Sequence, residues 1–291
     1  NSSVVAPGTR MELGAPDQLS VLSYNLLAPL YVRPLDTRTG AVQPFAAFEW
    51  AEPASERLDW AVRQPKLLAE LLAARADVVS LQEVEYERAG DGSGNFVLPS
   101  WLLALEGYEV RIPPQKALAE MASRNGRVLR NEVPVAVALL FRRDRLEEVA
   151  AAAAMGANHG GLKNSTTRLA TCVRGVPGGP LAAMGPTAVF SVHLDAGSET
   201  QRVRTLASCV EAARALGTRS AVIGGDFNTE IGRGTGVASL LDARLDCNYA
   251  APATDEELAR ECASALRLDA TEERDEAPAA HAAESANETP A

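Results

Sequence analysis

Four apolar runs constrain the fold of this chain most, because each stops at a side chain that can bind a metal ion or transfer a proton. The runs have the length and composition of buried β-strands: 19–24, 77–81, 187–192 and 220–225. The polar residues that follow them, in chain order, are Asn25, Gln82, Glu83, His193, Asp226 and Asn228. Adjacent strands lie about 4.8 Å apart, so we expect such strand ends to converge on one pocket.

Taken singly, each of these polar residues has an ordinary structural explanation. An Asn after a strand is commonly a turn residue, a Glu there is commonly solvated, and a single His is commonly a hydrogen-bonded part of the core. The chain has three histidines, and His159 and His281 lie in a Gly/Asn-rich segment and in an Ala-rich tail. His193 is therefore the histidine that we expect to be fixed in the core, and the combination favours a site.

The residue types of this set favour metal-assisted hydrolysis of phosphoesters. Carboxylates are hard oxygen ligands that suit Mg²⁺, or Mn²⁺, whereas zinc would require more His or Cys. A carboxylate can orient a water for attack, an amide can hold that water or a phosphoryl oxygen, and a cationic His can stabilise the developing charge. The sequence contains no G-x-x-x-x-G-K-[ST], G-x-S-x-G or H-E-x-x-H motif that would indicate another chemistry.

Charge and cysteine content limit the class of protein. The formal net charge of -10 argues against a protein that holds nucleic acid by a broad basic surface, but a metal-dependent enzyme brings its own positive charge. No apolar run approaches the roughly 20 residues that cross a bilayer. The four cysteines are far apart and form no C-x-x-C pair, so we expect free thiols and an intracellular, cytoplasmic protein.

Periodicity and composition predict the following organisation. The sequence predicts further strands at 108–112, 133–141, 146–149 and 167–173 and helices at 60–75, 98–106, 199–216, 236–241 and 255–268. It predicts loops at 33–59, 113–132 and 150–165. We expect three regions: a flexible leader at 1–17, a catalytic domain at 18–250, and an acidic, Ala-rich tail at 251–291 that holds one helix and is otherwise disordered.

Five motifs, in order, resemble the endonuclease/exonuclease/phosphatase superfamily with its deoxyribonuclease-I-like fold. They are L-S-Y-N-L-L-A (22–28), V-S-L-Q-E-V (79–84), V-A-L-L-F-R-R-D-R-L (137–146), S-V-H-L (191–194) and G-G-D-F-N (224–228). Three further stretches are similar to the branch of nocturnin, Angel and the carbon-catabolite-repressor deadenylases: S-Y-N-L-L-A-P-L-Y (23–31), W-x-x-R-Q-P-K-L-L (60–68) and L-E-G-Y-E (105–109).

The resemblance implies an α/β fold, namely a four-layer sandwich of two packed mixed β-sheets flanked by helices. It also implies Mg²⁺-dependent hydrolysis of phosphodiesters, with RNA 3′ ends or a nucleotide phosphodiester as substrate. Carried over by position, Glu83 would bind Mg²⁺ with Asn25 beside it, and His193 would contact the scissile phosphate. Asp226 would position or deprotonate the attacking water and Asn228 would orient phosphate and water. The basic position Arg204 would touch backbone phosphate, or would lie on a solvated helix face.

The sequence departs from the family pattern at its C-terminal end. The D-Y-[IV] strand and the final S-D-H motif of the family are missing, so we expect a C-terminally incomplete fold and slow or absent turnover. Three interpretations stay open: a truncated sequence, a catalytically inactive binding module of the same fold, and a phosphatase or phosphodiesterase for a small nucleotide or phospholipid. The retention of five site residues favours truncation over decay.

Overall fold

The structure is a computed structural model that describes residues 17–32, 39, 41, 48, 51, 57–149, 164–218 and 220–229. The chain divides into two compact units, one formed by residues 1–196 and 208–228 and the other by residues 197–207 and 229–291. The strands, helices α1 and α2 and the 3₁₀ helix lie in the first unit, and helix α3 runs from the second unit into the first. Among the described residues, no helix is long and apolar enough to cross a membrane.

The described residues form ten strands, three α-helices and one 3₁₀ helix. The strands are β1 Val21–Asn25, β2 Val78–Glu85, β3 Glu87–Arg88, β4 Phe96–Val97, β5 Tyr108–Arg111, β6 Val135–Arg142, β7 Leu146–Glu148, β8 Arg168–Gly175, β9 Thr187–His193 and β10 Ser220–Asp226. The helices are α1 Trp60–Ala74, the 3₁₀ helix Ser100–Ala104, α2 Gln115–Leu129 and α3 Glu199–Ala215.

Two four-stranded sheets share one topology. The first has the order β1-β2-β6-β5 and the second has the order β10-β9-β8-β7, while β3 and β4 form a small separate ribbon. In each large sheet the first two strands are parallel and the remaining neighbours are antiparallel. Both sheets are therefore mixed, and each has one parallel pair whose carboxyl ends lie side by side.

The two sheets pack face to face through an apolar core. Val78, Val137 and Leu139 of the first sheet cluster with Leu169 and Val189 of the second. The opposite face of the first sheet is covered by α1, α2 and the 3₁₀ helix, whose buried residues include Leu71, Leu118 and Leu102. The α/β class and the pair of packed mixed sheets with flanking helices are thus confirmed.

The strands and the two longest helices expected from sequence periodicity are present with small shifts at their ends. Helix α1 begins after Asp59, whose side chain accepts a hydrogen bond from Ala61 N at 2.8 Å, and ends at Arg75 in the left-handed conformation. Helix α3 ends close to Gly217, which has a φ of 66°. Local capping chemistry therefore places these ends where the sequence indicates them.

Three expectations about elements were wrong. The loop expected at 113–132 is largely helix α2, whose buried residues Leu118, Ala122 and Asn125 follow the i, i+4, i+7 spacing of an amphipathic helix. The helix expected at 98–106 is a five-residue 3₁₀ helix. Strand β2 does not stop before Glu83 but continues to Glu85 through a β-bulge.

Several expected segments lie wholly or largely outside the described residues. They are the leader (1–17), the loops 33–59 and 150–165, the helices 236–241 and 255–268, the rest of the catalytic region (230–250) and the tail (251–291). Cys247 and Cys262 also lie there, whereas Cys172 and Cys209 are buried free thiols. Burial raises the pKa of the Cys209 thiol to about 12, so it stays protonated in the core.

Candidate functional site at the ends of two parallel strand pairs

The four runs that stop at polar residues form the two parallel pairs of the structure. Asn25 stands opposite Gln82 in the register of β1 and β2, and Asp226 stands opposite His193 in the register of β10 and β9. Since the two sheets pack with β1 next to β10 and β2 next to β9, both pairs end at the same place. The fold therefore brings together side chains that are up to 201 residues apart in the chain.

Asn25 connects two carboxylates through a single nitrogen atom. Its Nδ2 donates to Glu83 Oε1 at 3.0 Å and to Asp226 Oδ2 at 2.9 Å. Its Oδ1 accepts from Leu27 N at 2.9 Å, which orients the amide with its NH₂ group toward the acids. Two acidic groups from different sheets thus meet around one amide, close enough to share a ligand.

Glu83 sits at the bulge of β2 in a conformation that few residues adopt. The β2–β6 register shifts between Leu81 and Val84, and Glu83 has a φ of 57°, in the left-handed region. The bulge interrupts the inward and outward alternation of a strand and re-aims the side chain. Its Oε2 accepts from Ala28 N at 2.9 Å, so the loop after β1 also holds this carboxylate.

Asp226 and His193 lie side by side at the ends of β10 and β9. His193 Nε2 is 4.0 Å from Asp226 Oδ2, which is an ion-pair distance for a protonated His but too long for a hydrogen bond. The two side chains are 25% and 30% exposed, so both can be reached from solvent. Leu194 N donates to the backbone oxygen of Asp226 at 2.8 Å, which extends the parallel ladder beyond the site.

Asn228 lies in a turn and forms hydrogen bonds within the protein through both its backbone and its side chain. Its backbone N–H donates to Asp226 Oδ1 at 2.9 Å, and its Nδ2 donates to Leu194 O at 2.8 Å. Its φ of 48° lies in the left-handed region that Asn tolerates better than most residues. Asn228 therefore fixes Asp226 and the end of β9, and any contact with a substrate would come in addition.

Arg63 supports the loop between Asn25 and Ala28, although the sequence did not single it out. Its guanidinium donates to the backbone oxygens of Leu26 and Leu27, the latter at 2.7 Å. Burial lowers the pKa of Arg63, while the negative charge of Glu83 acts in the opposite direction. The signal was present in the W-x-x-R stretch, where an Arg one turn after Trp60 lies on the face of α1 that meets this loop.

Tyr31 is a second residue that the sequence did not single out, and it interacts electrostatically with Glu83 of the site. Burial raises the pKa of its phenol, and the negative charge of Glu83 raises it further. The hydroxyl therefore stays protonated across the physiological pH range and remains a hydrogen-bond donor.

The two glycines before Asp226 allow close approach of the backbone. A Cβ on Gly225 would lie 2.0 Å from the backbone oxygen of Val192, and one on Gly224 would lie 3.0 Å from Ser80 Cβ. Ser80 Oγ is 2.8 Å from both Gly224 O and Ser191 Oγ, so the sheets meet through a buried polar network just behind the site.

Arg204, expected as a substrate contact, lies on helix α3 in the second compact unit and is exposed. Its neighbour Arg202 forms an ion pair with Glu199 one helical turn away, with Nε and Oε2 2.6 Å apart. The structure thus describes Arg204 as a solvated helix residue, and its contact with a substrate stays a prediction.

The donor set of this site fits a hard divalent cation. Within the described ranges, no cluster of three or more His, Cys, Asp or Glu side chains stands ready to enclose a metal, as a structural zinc site would need. Mg²⁺ needs only one or two carboxylates, because it keeps several waters and takes further oxygen ligands from a substrate phosphate. Glu83, with the amide of Asn25 beside it, can supply such an open site.

Neither a protein-family model nor a curated protein matches the sequence. Solved structures do match this chain. The human nocturnin catalytic domain with bound sulfate is 18% identical, with a TM-score of 0.44, and the match covers 75% of this chain and 68% of that one. ANGEL2, described as a 2′,3′-cyclic phosphatase, is 16% identical with a TM-score of 0.45, covering 77% and 57%.

An endonuclease/exonuclease/phosphatase family protein from Bacteroides thetaiotaomicron is 17% identical with a TM-score of 0.44, covering 77% of this chain and 68% of that one. The part matched in ANGEL2 is less than two thirds of that protein's length. Nocturnin, Angel and the endonuclease/exonuclease/phosphatase superfamily are also the names of the groups that the sequence motifs resemble.

Proposed function

We propose that the protein is a divalent-metal-dependent phosphodiesterase that removes nucleotides from RNA 3′ ends. One observation carries this proposal: a single amide nitrogen, Asn25 Nδ2, bonds to both Glu83 and Asp226, and His193 stands 4.0 Å from Asp226. Two acids, an amide and an imidazole at one partly exposed place are the groups that metal-assisted attack of water on a phosphodiester requires.

Glu83 would hold the metal ion through its carboxylate, with Asn25 beside it orienting that carboxylate through an N–H. Mg²⁺, when bound, supplies positive charge that neutralises a phosphate oxygen and the developing negative charge. Glu83 is suited to this because the bulge and the Ala28 N–H fix the direction of its carboxylate before any ligand arrives. Asn25 can keep Glu83 and Asp226 together although both are negative, because it donates one N–H to each.

Asp226 would orient and deprotonate the attacking water. Both of its oxygens accept hydrogen bonds, from Asn25 Nδ2 and Asn228 N, and each oxygen keeps a further lone pair for a water proton. His193, when protonated, would donate a hydrogen bond to the phosphate oxygen that gains charge in the transition state. Asn228 would act mainly by fixing Asp226, and through its amide it would orient the phosphate and the water.

The test is hydrolysis of a 5′-labelled RNA oligonucleotide by the full-length protein, with Mg²⁺ and with EDTA. We expect a ladder of products shortened from the 3′ end that EDTA abolishes. Asp226→Ala should lower the rate at least a thousandfold, equivalent to about 4 kcal/mol of barrier. The matched control is Asp17→Ala, an exposed acid outside the site, which should retain the wild-type rate. Hydrolysis that resists EDTA or survives Asp226→Ala would refute the proposal.

A readout other than hydrolysis separates this proposal from an inactive binding module of the same fold. We expect Mg²⁺ or Mn²⁺ to raise the melting temperature of the wild type, and Glu83→Gln to remove that increase. Metal-dependent stabilisation without hydrolysis of RNA, DNA, 2′,5′-oligoadenylate, a dinucleotide 2′-phosphate or a phospholipid head group would favour the binding module. If the protein shows neither hydrolysis nor metal-dependent stabilisation, a metal site at Glu83 is excluded.

A further inference from the structure

A cavity of about 370 Å³ opens next to the candidate site and shares Glu83 with it. This volume lies in the range of small-molecule pockets. Its lining comes from β2, the β3–β4 ribbon, the start of α1 and the 3₁₀ helix. The proposed roles of Glu83, Asp226 and His193 use none of its other residues.

Aromatic rings form much of the cavity wall. Trp60 and Trp101 both line it and are half-buried, and their rings meet edge to face with centroids 5.6 Å apart. Phe96 and Tyr86 are buried and contribute the deeper part of the lining. Rigid, half-buried aromatic rings that line a cavity are suited to stacking against another planar ring.

The charged groups of the cavity lining are mostly acidic. Besides Glu83, the lining contains Glu85, Glu87 and Glu132, and Arg88 is the one basic side chain among the described residues that line it. Arg88 is already engaged, because it lies 4.8 Å above the Phe96 ring centroid and 3.5 Å from a Glu132 oxygen. A phosphate would be repelled here, whereas a group that donates hydrogen bonds from an amine finds several carboxylate acceptors.

These carboxylates are held in place by the backbone and nearby side chains. Glu87 accepts from Ser100 N at 3.1 Å and from Ser100 Oγ at 3.3 Å, and Glu85 accepts from Leu30 N. An ionised carboxylate has about four acceptor positions, so Glu87 has capacity for a ligand donor besides its two bonds to Ser100. The cavity thus combines aromatic surfaces with oriented acceptors, and the described part of its lining contains no Lys.

We propose that this cavity binds an amine-bearing nucleobase of the substrate: adenine, cytosine or guanine rather than uracil or hypoxanthine. The base would stack on the Trp101 ring, since the Trp60 ring stands at 77° to it and already carries the Arg63 guanidinium 5.5 Å from its centroid. Its exocyclic NH₂ would donate to one of the glutamates. Because the cavity begins at Glu83, a base bound there leaves its own phosphate beside the acids of the site. The inference rests on the proposed function, since it assigns the base of the same substrate.

Free nucleosides test the cavity without involving the phosphate chemistry. Binding is measured on the full chain by quenching of tryptophan fluorescence with adenosine, inosine, cytidine and uridine. We expect adenosine to bind about tenfold more tightly than inosine, and cytidine about tenfold more tightly than uridine, as expected for one hydrogen bond to a charged acceptor. Trp101→Phe should reduce the quenching while the base preference persists, which assigns the signal to this cavity.

Single substitutions of the acids identify the acceptor. At least one of Glu85→Gln, Glu87→Gln and Glu132→Gln should reduce the amine preference to twofold or less, while Glu106→Gln, an exposed glutamate outside the cavity, should keep it. Circular dichroism checks that each variant is folded. Affinities within twofold for both nucleoside pairs, or a preference that survives all three changes, would overturn the inference.

The two proposals fail in different ways. If the chain prefers amine-bearing nucleosides but hydrolyses no phosphodiester, the cavity inference stands and the proposed hydrolysis is wrong. If it hydrolyses RNA at the same rate whatever the 3′-terminal base and shows no nucleoside preference, the hydrolysis stands and the cavity inference is wrong.

Discussion

Backbone strain at the scale of single residues is concentrated at the candidate site. Within the described part of the chain, five residues other than glycine have a positive φ, and two of them, Arg75 and Arg130, cap the ends of helices. The other three are Leu27, Glu83 and Asn228, which surround the same few side chains. Such conformations cost roughly 1–3 kcal/mol each and persist where the surroundings enforce them. Hydrogen bonds from Leu27 N, Ala28 N and Asn228 N to site side chains supply that enforcement.

Replacing Asn25 by Asp should destabilise the protein in metal-free buffer by about 1–3 kcal/mol. The change removes two N–H donors to carboxylates and adds a third negative charge between them. The free energy of unfolding, from urea titration in EDTA, measures this, with Asn95→Asp in an exposed turn as the control that should change by less than 0.5 kcal/mol. Mg²⁺ should restore more stability to Asn25→Asp than it adds to the wild type. Equal stabilities of Asn25→Asp and wild type in EDTA would contradict the bridging role of Asn25.

Strand β10 and the bulge of β2 show how whole elements position the site. The bulge turns Glu83 toward Asn25 while the strand continues to Glu85. Gly224 and Gly225 let β10 lie close to Ser80 and Val192, which brings Asp226 up to the first sheet. The bulged strand β2 and the glycine-containing strand β10 therefore meet at the site, where side chains from both sheets converge.

Adding a methyl group at Gly225 should be far more damaging than at an unobstructed glycine. A Cβ there meets the backbone oxygen of Val192 at 2.0 Å, and backbone cannot move aside cheaply. We expect Gly225→Ala to lower the free energy of unfolding by about 3 kcal/mol and Gly224→Ala by about 1–2 kcal/mol. Gly90→Ala, which has no atom within 4 Å of the added carbon, should be near neutral. Thermal and urea unfolding test this order, and a stable Gly225→Ala would show that β9 and β10 are farther apart than described.

At the scale of the whole molecule, polar contacts also join the two sheets away from the candidate site. Arg111 of β5 donates to both oxygens of Glu148 of β7, with Nε and Oε1 3.0 Å apart and Nη2 and Oε2 2.5 Å apart. Thr171 of β8 donates to Glu148 Oε1 at 2.5 Å. Elsewhere, Asp77 at 1% exposure pairs with Arg145 and accepts from Ser20 N and Oγ. The apolar core between the sheets is thus bordered by ion pairs that fix their relative position.

The ion pair between Glu148 and Arg111 should make the free energy of unfolding depend on pH. Burial raises the pKa of Glu148, but the hydrogen bonds from Arg111 and Thr171 lower it more, so the pKa lies below its ordinary value of 4.5. The stabilisation is therefore present above pH 4.5 and is lost as the pH falls through the folded-state pKa. We expect Glu148→Gln to cost about 1–3 kcal/mol at pH 7 and progressively less below pH 4. Urea unfolding of both proteins from pH 7 to 3 measures this loss of stability. A loss that does not change with pH would exclude the charge of Glu148 as its cause. Glu211→Gln, at an exposed position, is the control.

The sequence alone determined the strands, the longest helices and the residue types of the site. Short apolar runs and the cap at Asp59 are local properties, so β1, β2, β9, β10 and α1 could be read from them directly. The positions of Glu83 and Asp226 at strand ends also predict that the two carboxylates lie near each other. Helix α2 was not predicted because its buried positions carry one large apolar residue, Leu118, followed by the small Ala122 and the polar Asn125, so its apolar periodicity is weak.

The tertiary structure alone decided how these groups meet. Asn25, Glu83 and Asp226 come from three strands of two sheets, and no local pattern states that one nitrogen will bond to both acids. The bulge at Glu83, the support from Arg63 and the cavity lined by Trp60 and Trp101 likewise depend on packing between distant segments. Hydrophobic periodicity specifies which face of a single element is buried. Contacts between two elements depend on how the face of one packs against the face of the other, which no local pattern specifies.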